Sequence, residues 1–414
     1  MAGDVQLELA EVARVEGGRI LAVLAGAVGD LQLAEDAVQD ATVSALEVWP
    51  RTGVPANPAG WLYVAARRKV IDRTRREGGR AAREADAEAM REQLRPEPPS
   101  PDAIGDDVLR LLFTCCHPAL ALESQVALAL RTLCGLPVAD VARVLLTSEV
   151  AMEKRLVRIR QKIARAGIPY RVPSRDELPE RLAGVCAVVH LVYTAGHHGH
   201  AEGVRVDLCQ EALRLARLLV ELLPDPTVEA LLALLLLTEA RRPARLDDDG
   251  ELVPLARQDR LRWDRSAVDE GIHHLNRSLQ ATAGVADPYQ LQAAIAAEHS
   301  RAPSHEATDW AEVVRLYDIL RSVHPNPVVE LNAAVASAEV HGPRAALAML
   351  DGLSPEVGGH LRHLARGEML TRLGLVDEAL SALGEAFAAA PSDLERRAVR
   401  RRMDELTSDR RAEG

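Results

Sequence analysis

One stretch constrains this chain more than any other: Leu136 to Lys162, a short apolar-periodic segment, a tight turn and a longer basic segment. Met152, Leu156, Ile159 and Ile163 fall at i, i+4, i+7 and i+11, a single stripe along an α-helix. Thr147 or Ser148 stands in front of it as a cap, and Val138, Val141 and Leu145 mark a shorter helix before the turn. The remaining faces present Glu149, Glu153, Lys154, Arg155, Arg158, Arg160 and Lys162. This spacing predicts a helix-turn-helix whose second helix enters a DNA groove. Residues near its start, Ser148 and Glu149, are then placed to reach base edges, while the later Lys and Arg side chains grip phosphates. An amphipathic surface helix without a partner has a similar pattern; the turn and the preceding helix favour DNA.

Charge is laid out unevenly. Residues 1–171 hold 23 basic and 23 acidic side chains, so the net charge of −11 falls entirely on residues 172–414. Within the neutral part, Arg67 to Arg83 carries eight basic residues against Asp72 and Glu77, and Lys154 to Arg171 carries seven against none. Two cationic segments inside an acidic chain point to a polyanionic partner rather than to general solvation.

Composition predicts an all-α protein of several domains, since Ala, Leu, Val and Arg dominate and only 3% of residues are aromatic. The apolar run Leu231–Leu237 is too short to cross a bilayer and reads as a buried helix. With five scattered cysteines and no basic-then-apolar leader, a soluble cytoplasmic protein with no membrane association is expected.

Proline and glycine set the expected boundaries. Residues 1–80 form a first helical domain, in which Asn57-Pro58 caps and opens a helix running from Trp61 to about Arg76. Residues 81–105 form a charged, Pro-rich linker, 106–170 the helix-turn-helix domain, and 171–414 a helical extension. That extension has a weak period of 33: Val313, Ala346 and Ala379; Tyr317, Leu350 and Leu383; Leu320, Leu353 and Ala386. Small and apolar residues at this period suit stacked helix hairpins, with an irregular helical bundle as the alternative.

Two further motifs lie upstream. Leu33 to Ala41 places Glu35, Asp36, Gln39 and Asp40 on adjacent helical turns. Gly60 to Arg76 carries Trp61, Tyr63, Arg67, Arg68, Lys69, Asp72, Arg73, Arg75 and Arg76. Together the pair resembles region two of the sigma-70 superfamily, specifically the extracytoplasmic-function group of RNA polymerase sigma factors. The matching positions are Ala34, Glu35, Asp36, Gln39 and Asp40, then Trp61, Leu62, Tyr63, Ala66, Arg67, Asp72, Arg75 and Arg76; Arg68 stands where Asn is usual. The helix-turn-helix resembles region four, with Glu153 where Lys is common. Leu109–Pro118 and Ala166–Pro173 resemble the subgroup with a long, tetratricopeptide-like extension.

The resemblance implies core RNA polymerase and promoter DNA as partners, and a further protein partner or self-contact for the extension. Glu35, Asp36, Gln39 and Asp40 would dock on polymerase. The loop from Trp49 to Asn57 would hold a base flipped from the −10 element. Trp61 and Tyr63 are the aromatics beside it, as base contacts or as core. Arg67, Arg68, Lys69, Arg73, Arg75 and Arg76 would line the melted strand. Ser148, Glu149, Lys154, Arg155, Arg158, Arg160 and Lys162 would read the −35 duplex.

No cofactor, metal or catalytic activity is expected. Adjacent thiols in Cys115-Cys116-His117 suit buried packing better than one tetrahedral site. The cluster His197-His-Gly-His200 reads as incidental, and Asp247-Asp-Asp-Gly250 lacks the later ligands of a calcium loop. Two rival functions remain on this reading: a helix-turn-helix regulator acting without polymerase, and a tetratricopeptide adaptor with a vestigial sigma fold.

Overall fold

A computed structural model describes residues 2–77, 101–198 and 206–413, apart from 146, 169, 175, 285 and 354–358. Most of the expected 81–105 linker, with the charged segment from Arg80, lies outside the described residues. Those residues form eighteen α-helices, three short 3-10 turns and an isolated antiparallel bridge between Leu246 and Leu252. The chain divides into two compact units, Met1–Ala195 and Gly196–Gly414.

The first unit opens with α1 (Ala2–Val28), α2 (Leu31–Thr52) and α3 (Pro58–Glu77), which pack on one another. Asp30 starts α2 by accepting from the backbone N–H groups of Gln32 (2.9 Å) and Leu33 (3.1 Å). Ala34, Ala37, Ala41, Ala45 and Trp49 then form its buried stripe. The helix stops at Gly53, whose φ of +81° is open to glycine and strained for other residues. The Asn57 side chain accepts from the Gly60 N–H at 2.8 Å and so caps α3, the cap expected before Pro58.

Helices α4 (Pro101–Cys115), α5 (Leu122–Thr132), α6 (Val138–Val144), α7 (Glu149–Arg165) and α8 (Leu178–His198) follow. Helix α4 packs on α1, and α5 and α6 pack on α7. Ser148 caps α7 through the Ala151 N–H at 3.3 Å, and Met152, Leu156, Ile159 and Ile163 are its buried residues, the stripe read from the sequence. Two contacts bind these elements to α1. At Gly18 a Cβ would lie 2.7 Å from the Leu133 carbonyl oxygen, so only glycine allows α1 to approach the end of α5 this closely. The Tyr170 hydroxyl sits 2.7 Å from the Ala22 carbonyl and 3.1 Å from that of Asp107.

Cys115 and Cys116 are fully buried between these layers, with Cys115 Sγ 3.2 Å from Thr132 Oγ1. Burial pushes the Cys115 thiol up to about 12, which leaves it protonated and unreactive.

The second unit runs from α9 (Val206–Leu222) through α10 (Pro226–Glu239), α11 (Arg265–Ala281), α12 (Pro288–Arg301), α13 (Trp310–Val323), α14 (Pro327–His341), α15 (Pro343–Asp351), α16 (Gly359–Arg372), α17 (Val376–Ala389) and α18 (Asp393–Glu413). Helix α10 contains Leu231–Leu237 and is buried on every side. No described helix is long and apolar enough to cross a membrane.

Helices α13, α15 and α17 begin at Trp310, Pro343 and Val376, spaced by the 33 residues of the sequence period. Val313, Ala346 and Ala379, at equal phase, are fully buried, because each faces the partner helix of its hairpin. A Cβ on Gly367 would come within 2.8 Å of the Leu383 side chain, which explains a glycine where α16 meets α17.

The loop between α10 and α11 docks on α18 through Arg401–Asp247 (3.0 Å), Arg397–Glu251 (2.6 Å) and Arg257–Glu405 (3.2 Å). Asp247 also accepts from the backbone N–H of Glu251 at 2.8 Å, which with Arg401 holds its carboxyl below the usual range. The acidic run that looks like a calcium loop is thus folded around its own backbone.

Candidate polymerase and nucleic-acid interface

Helices α2, α3 and α7 carry the functional residues expected from sequence, and the fold separates them into three groups. The first is buried. Trp49 lies within the last turn of α2, 1% exposed, and not in a loop; the connecting segment is shorter, Gly53 to Asn57. Tyr63 is 2% exposed. Trp49 is therefore corrected from a loop residue beside a flipped base to a buried helix residue, and of the two readings for Tyr63 burial favours core. Trp61 is half-buried and stands edge-on to Trp49, centroids 5.5 Å apart and planes at 71°. Of the three aromatics it alone retains an open face.

The second group is exposed. Gln39 and Asp40 lie on the outer side of α2, and Arg68 and Lys69 on the outer side of α3, with Arg67 half-buried beside them. On α7, Glu149, Lys154, Arg158 and Lys162 face solvent, and Val150 and Val157 are 58% and 47% exposed on the same outer surface. Three cations with Val150 ahead of them and Val157 among them suit a duplex groove, where phosphates flank the edges of bases. Arg75 and Arg76 lie in α3, but their side chains fall outside the described residues.

The third group is paired internally. Arg160 of α7 donates to Glu35 of α2 at 2.6 Å, and Arg131 at the end of α5 lies 3.4 Å from the same carboxylate oxygen. Glu35 is 12% exposed at its side chain and Arg160 19%. Arg73 donates to Asp36 at 2.7 Å in a more open pair, and Arg155 lies 3.5 Å from Glu123. An acid expected to meet polymerase and a base expected to meet DNA are thus spent on each other. Arg131 escaped sequence reading because it stands alone in an apolar helix, with only its charge to mark it. Ser148 and Asn57 are both occupied in capping, which fixes where α7 and α3 begin.

Comparison with known proteins assigns the segments that carry these helices. Residues 14–80 match sigma-70 region 2, and residues 110–163 match sigma-70 region 4. Residues 181–279 match a family of unknown function, DUF6596. An uncharacterized protein of Rhizobium meliloti (strain 1021) is 41% identical over 389 residues, covering 92% of this chain and 91% of its own length. No solved structure matches the chain. Sigma-70 regions 2 and 4 bind core RNA polymerase and recognise promoters, a transcription-initiation role and not an enzymatic one. With region 2 on α1–α3, region 4 on α4–α7 and a C-terminal helical region behind them, the chain belongs to the sigma-70 family and carries a C-terminal extension.

Proposed function

We propose that this chain is a sigma factor of the extracytoplasmic-function type, which directs core RNA polymerase to a subset of promoters and helps open their −10 region. Polymerase docks on α2 around Asp36, Gln39 and Asp40. Arg67, Arg68 and Lys69 hold the phosphates of the melted strand, with Trp61 at its edge, while Arg73 stays on Asp36. Lys154, Arg158 and Lys162 grip the −35 duplex while Ser148 and Glu149 approach its bases. The helical extension serves as a regulatory or partner-binding module.

The observation that carries this reading is the exposure of Gln39 and Asp40 on α2, Arg68 and Lys69 on α3, and Lys154, Arg158 and Lys162 on α7 within the two sigma-70 regions; the internal Glu35–Arg160–Arg131 cluster adds a closed form to it. The −10 and −35 elements are separate stretches of one promoter, one to be melted and one read as duplex. Helices α2 and α7, joined side chain to side chain, cannot occupy both at once. The compact arrangement is therefore a closed form of the free chain, and loading on polymerase and promoter must separate region 2 from region 4. Glu35 then becomes available to polymerase and Arg160 to DNA, so one opening step creates both surfaces.

Run-off transcription with purified core polymerase tests the function. The full chain is expected to start transcripts at defined sites, and Asp40→Lys to lose most of that activity while duplex binding persists. Transcription undiminished in Asp40→Lys removes the polymerase contact; absence of any transcript with the unaltered chain removes the sigma reading and leaves the adaptor.

A further inference from the structure

At the start of the second unit, three helix ends converge. His197 stands near the C-terminus of α8, Cys209 in the first turns of α9, and Glu239 is the last residue of α10. Their ligand atoms, an imidazole nitrogen, a thiol sulfur and a carboxylate oxygen, all lie within 4.8 Å of one another. We propose that His197, Cys209 and Glu239 form a binding site for a borderline-soft divalent cation of the zinc type.

The donor set fits that class. A thiolate and an imidazole select zinc-like ions over calcium or magnesium, which ask for oxygen alone. Tetrahedral zinc needs neighbouring donors roughly 3.3–3.6 Å apart, so inward rotation of the side chains by about an ångström closes the shell. At the donor atoms one dication meets one thiolate and one carboxylate, with neutral imidazole as the third ligand, and the ion shares Glu239 with the Arg242 guanidinium. On binding, the S–H proton of Cys209 passes to solvent as the sulfur–metal bond forms. Three protein donors leave the fourth position to water or to a further donor.

The surroundings hold the donors rather than dilute them. Cys209 is fully buried and the Glu239 side chain is 12% exposed, so neither is an ordinary surface group. Arg242, one turn beyond α10, donates to Oε1 of Glu239 and orients the carboxylate, the outer-shell support that metal ligands need. Arg245 donates to the backbone carbonyl of His197, which fixes the end of α8 against the same turn. All three donors fall within the residues that match the family of unknown function, 181–279, and outside regions 2 and 4.

The test is titration of the full chain, stripped with a chelator, by Co²⁺ alone. A thiolate-to-cobalt charge-transfer absorption is expected to saturate at one equivalent and to bleach when Zn²⁺ is added. Cys209→Ser should lose the absorption, whereas Cys116→Ser should keep it. Because Cys209 is buried, Glu239→Gln provides a second test: the absorption should remain while Co²⁺ affinity falls more than about tenfold. Zn²⁺ should also raise the melting temperature of the unaltered chain. No absorption, an absorption that survives Cys209→Ser, or unchanged affinity in Glu239→Gln overturns the site and leaves a salt-bridged packing cluster.

Discussion

Replacing Glu35 by Gln probes the closed form directly. The substitution keeps the shape of the side chain and removes the charge that Arg160 meets at 2.6 Å and Arg131 at 3.4 Å. Removing one member of a fully buried pair costs about 3–5 kcal/mol. Here Glu35 and Arg160 keep 12% and 19% of their side-chain exposure and Arg131 23%, so water screens part of the interaction and about 2 kcal/mol is the reasonable figure. At about 1.4 kcal/mol per decade that shifts the balance between closed and open forms roughly 30-fold toward open. When the closed form dominates, the apparent affinity of the DNA face is reduced by the fraction of open chains, so the same factor should appear in binding. Fluorescence anisotropy with a random-sequence duplex, without polymerase, reads it in isolation from the polymerase contact. Tighter binding by about tenfold or more is expected for Glu35→Gln, with the difference shrinking as salt rises. Affinity within twofold of the unaltered chain, or weaker, refutes the reasoning that this cluster withholds α7 from DNA.

Other perturbations address separate parts of the structure. Changing Lys154, Arg158 and Lys162 together to Ala should lower duplex affinity and flatten the dependence of log K on log salt by about two to three, near 0.9 for each lost phosphate contact; an unchanged slope removes α7 from the interface. Gly18→Ala should destabilise the first unit in thermal unfolding, although alanine is the better helix former by about 1 kcal/mol, because the added Cβ meets the Leu133 carbonyl at 2.7 Å; a stabilised variant contradicts that approach. Burial, reinforced by Arg241 and Arg260, lowers His299 from 6.5 to about 3, so the folded chain holds it neutral. Its contribution is fully present above pH 6.5 and is lost as pH falls from there toward 3, where the unfolded chain takes up a proton that the folded chain refuses. Denaturant titrations across that window should show a flatter pH dependence in His299→Leu than in the unaltered chain.

Much of the fold could be read from local pattern. The Met152–Ile163 stripe, the Asn57 and Ser148 caps, the buried Leu231–Leu237 helix and the 33-residue spacing all appear where sequence places them. Each depends on residues within one or two turns, or on a repeat in which each unit sees the same neighbours. The site was legible in residue type and less so in disposition. Trp49 carries the same side chain whether it lines a loop or fills a core, and only the extension of α2 to Thr52 puts it inside. His197 looked incidental beside its neighbouring histidines, since Cys209 and Glu239 become its partners only when three helix ends meet.

The sequence by itself determined that this chain is helical, that α7 has one apolar and one basic side, and that acidic and basic motifs of a sigma factor share its first half. Those properties follow from short-range periodicity and from charge, which any conformation of the chain retains. Only the tertiary structure decided which charges are available. Glu35 and Arg160 are 125 residues apart, and nothing in either local pattern distinguishes them from Asp40 and Lys162. Packing brings the first pair to 2.6 Å under partial burial and leaves the second pair in water. Long-range contact therefore divides one set of similar side chains into a lock and an exposed interface.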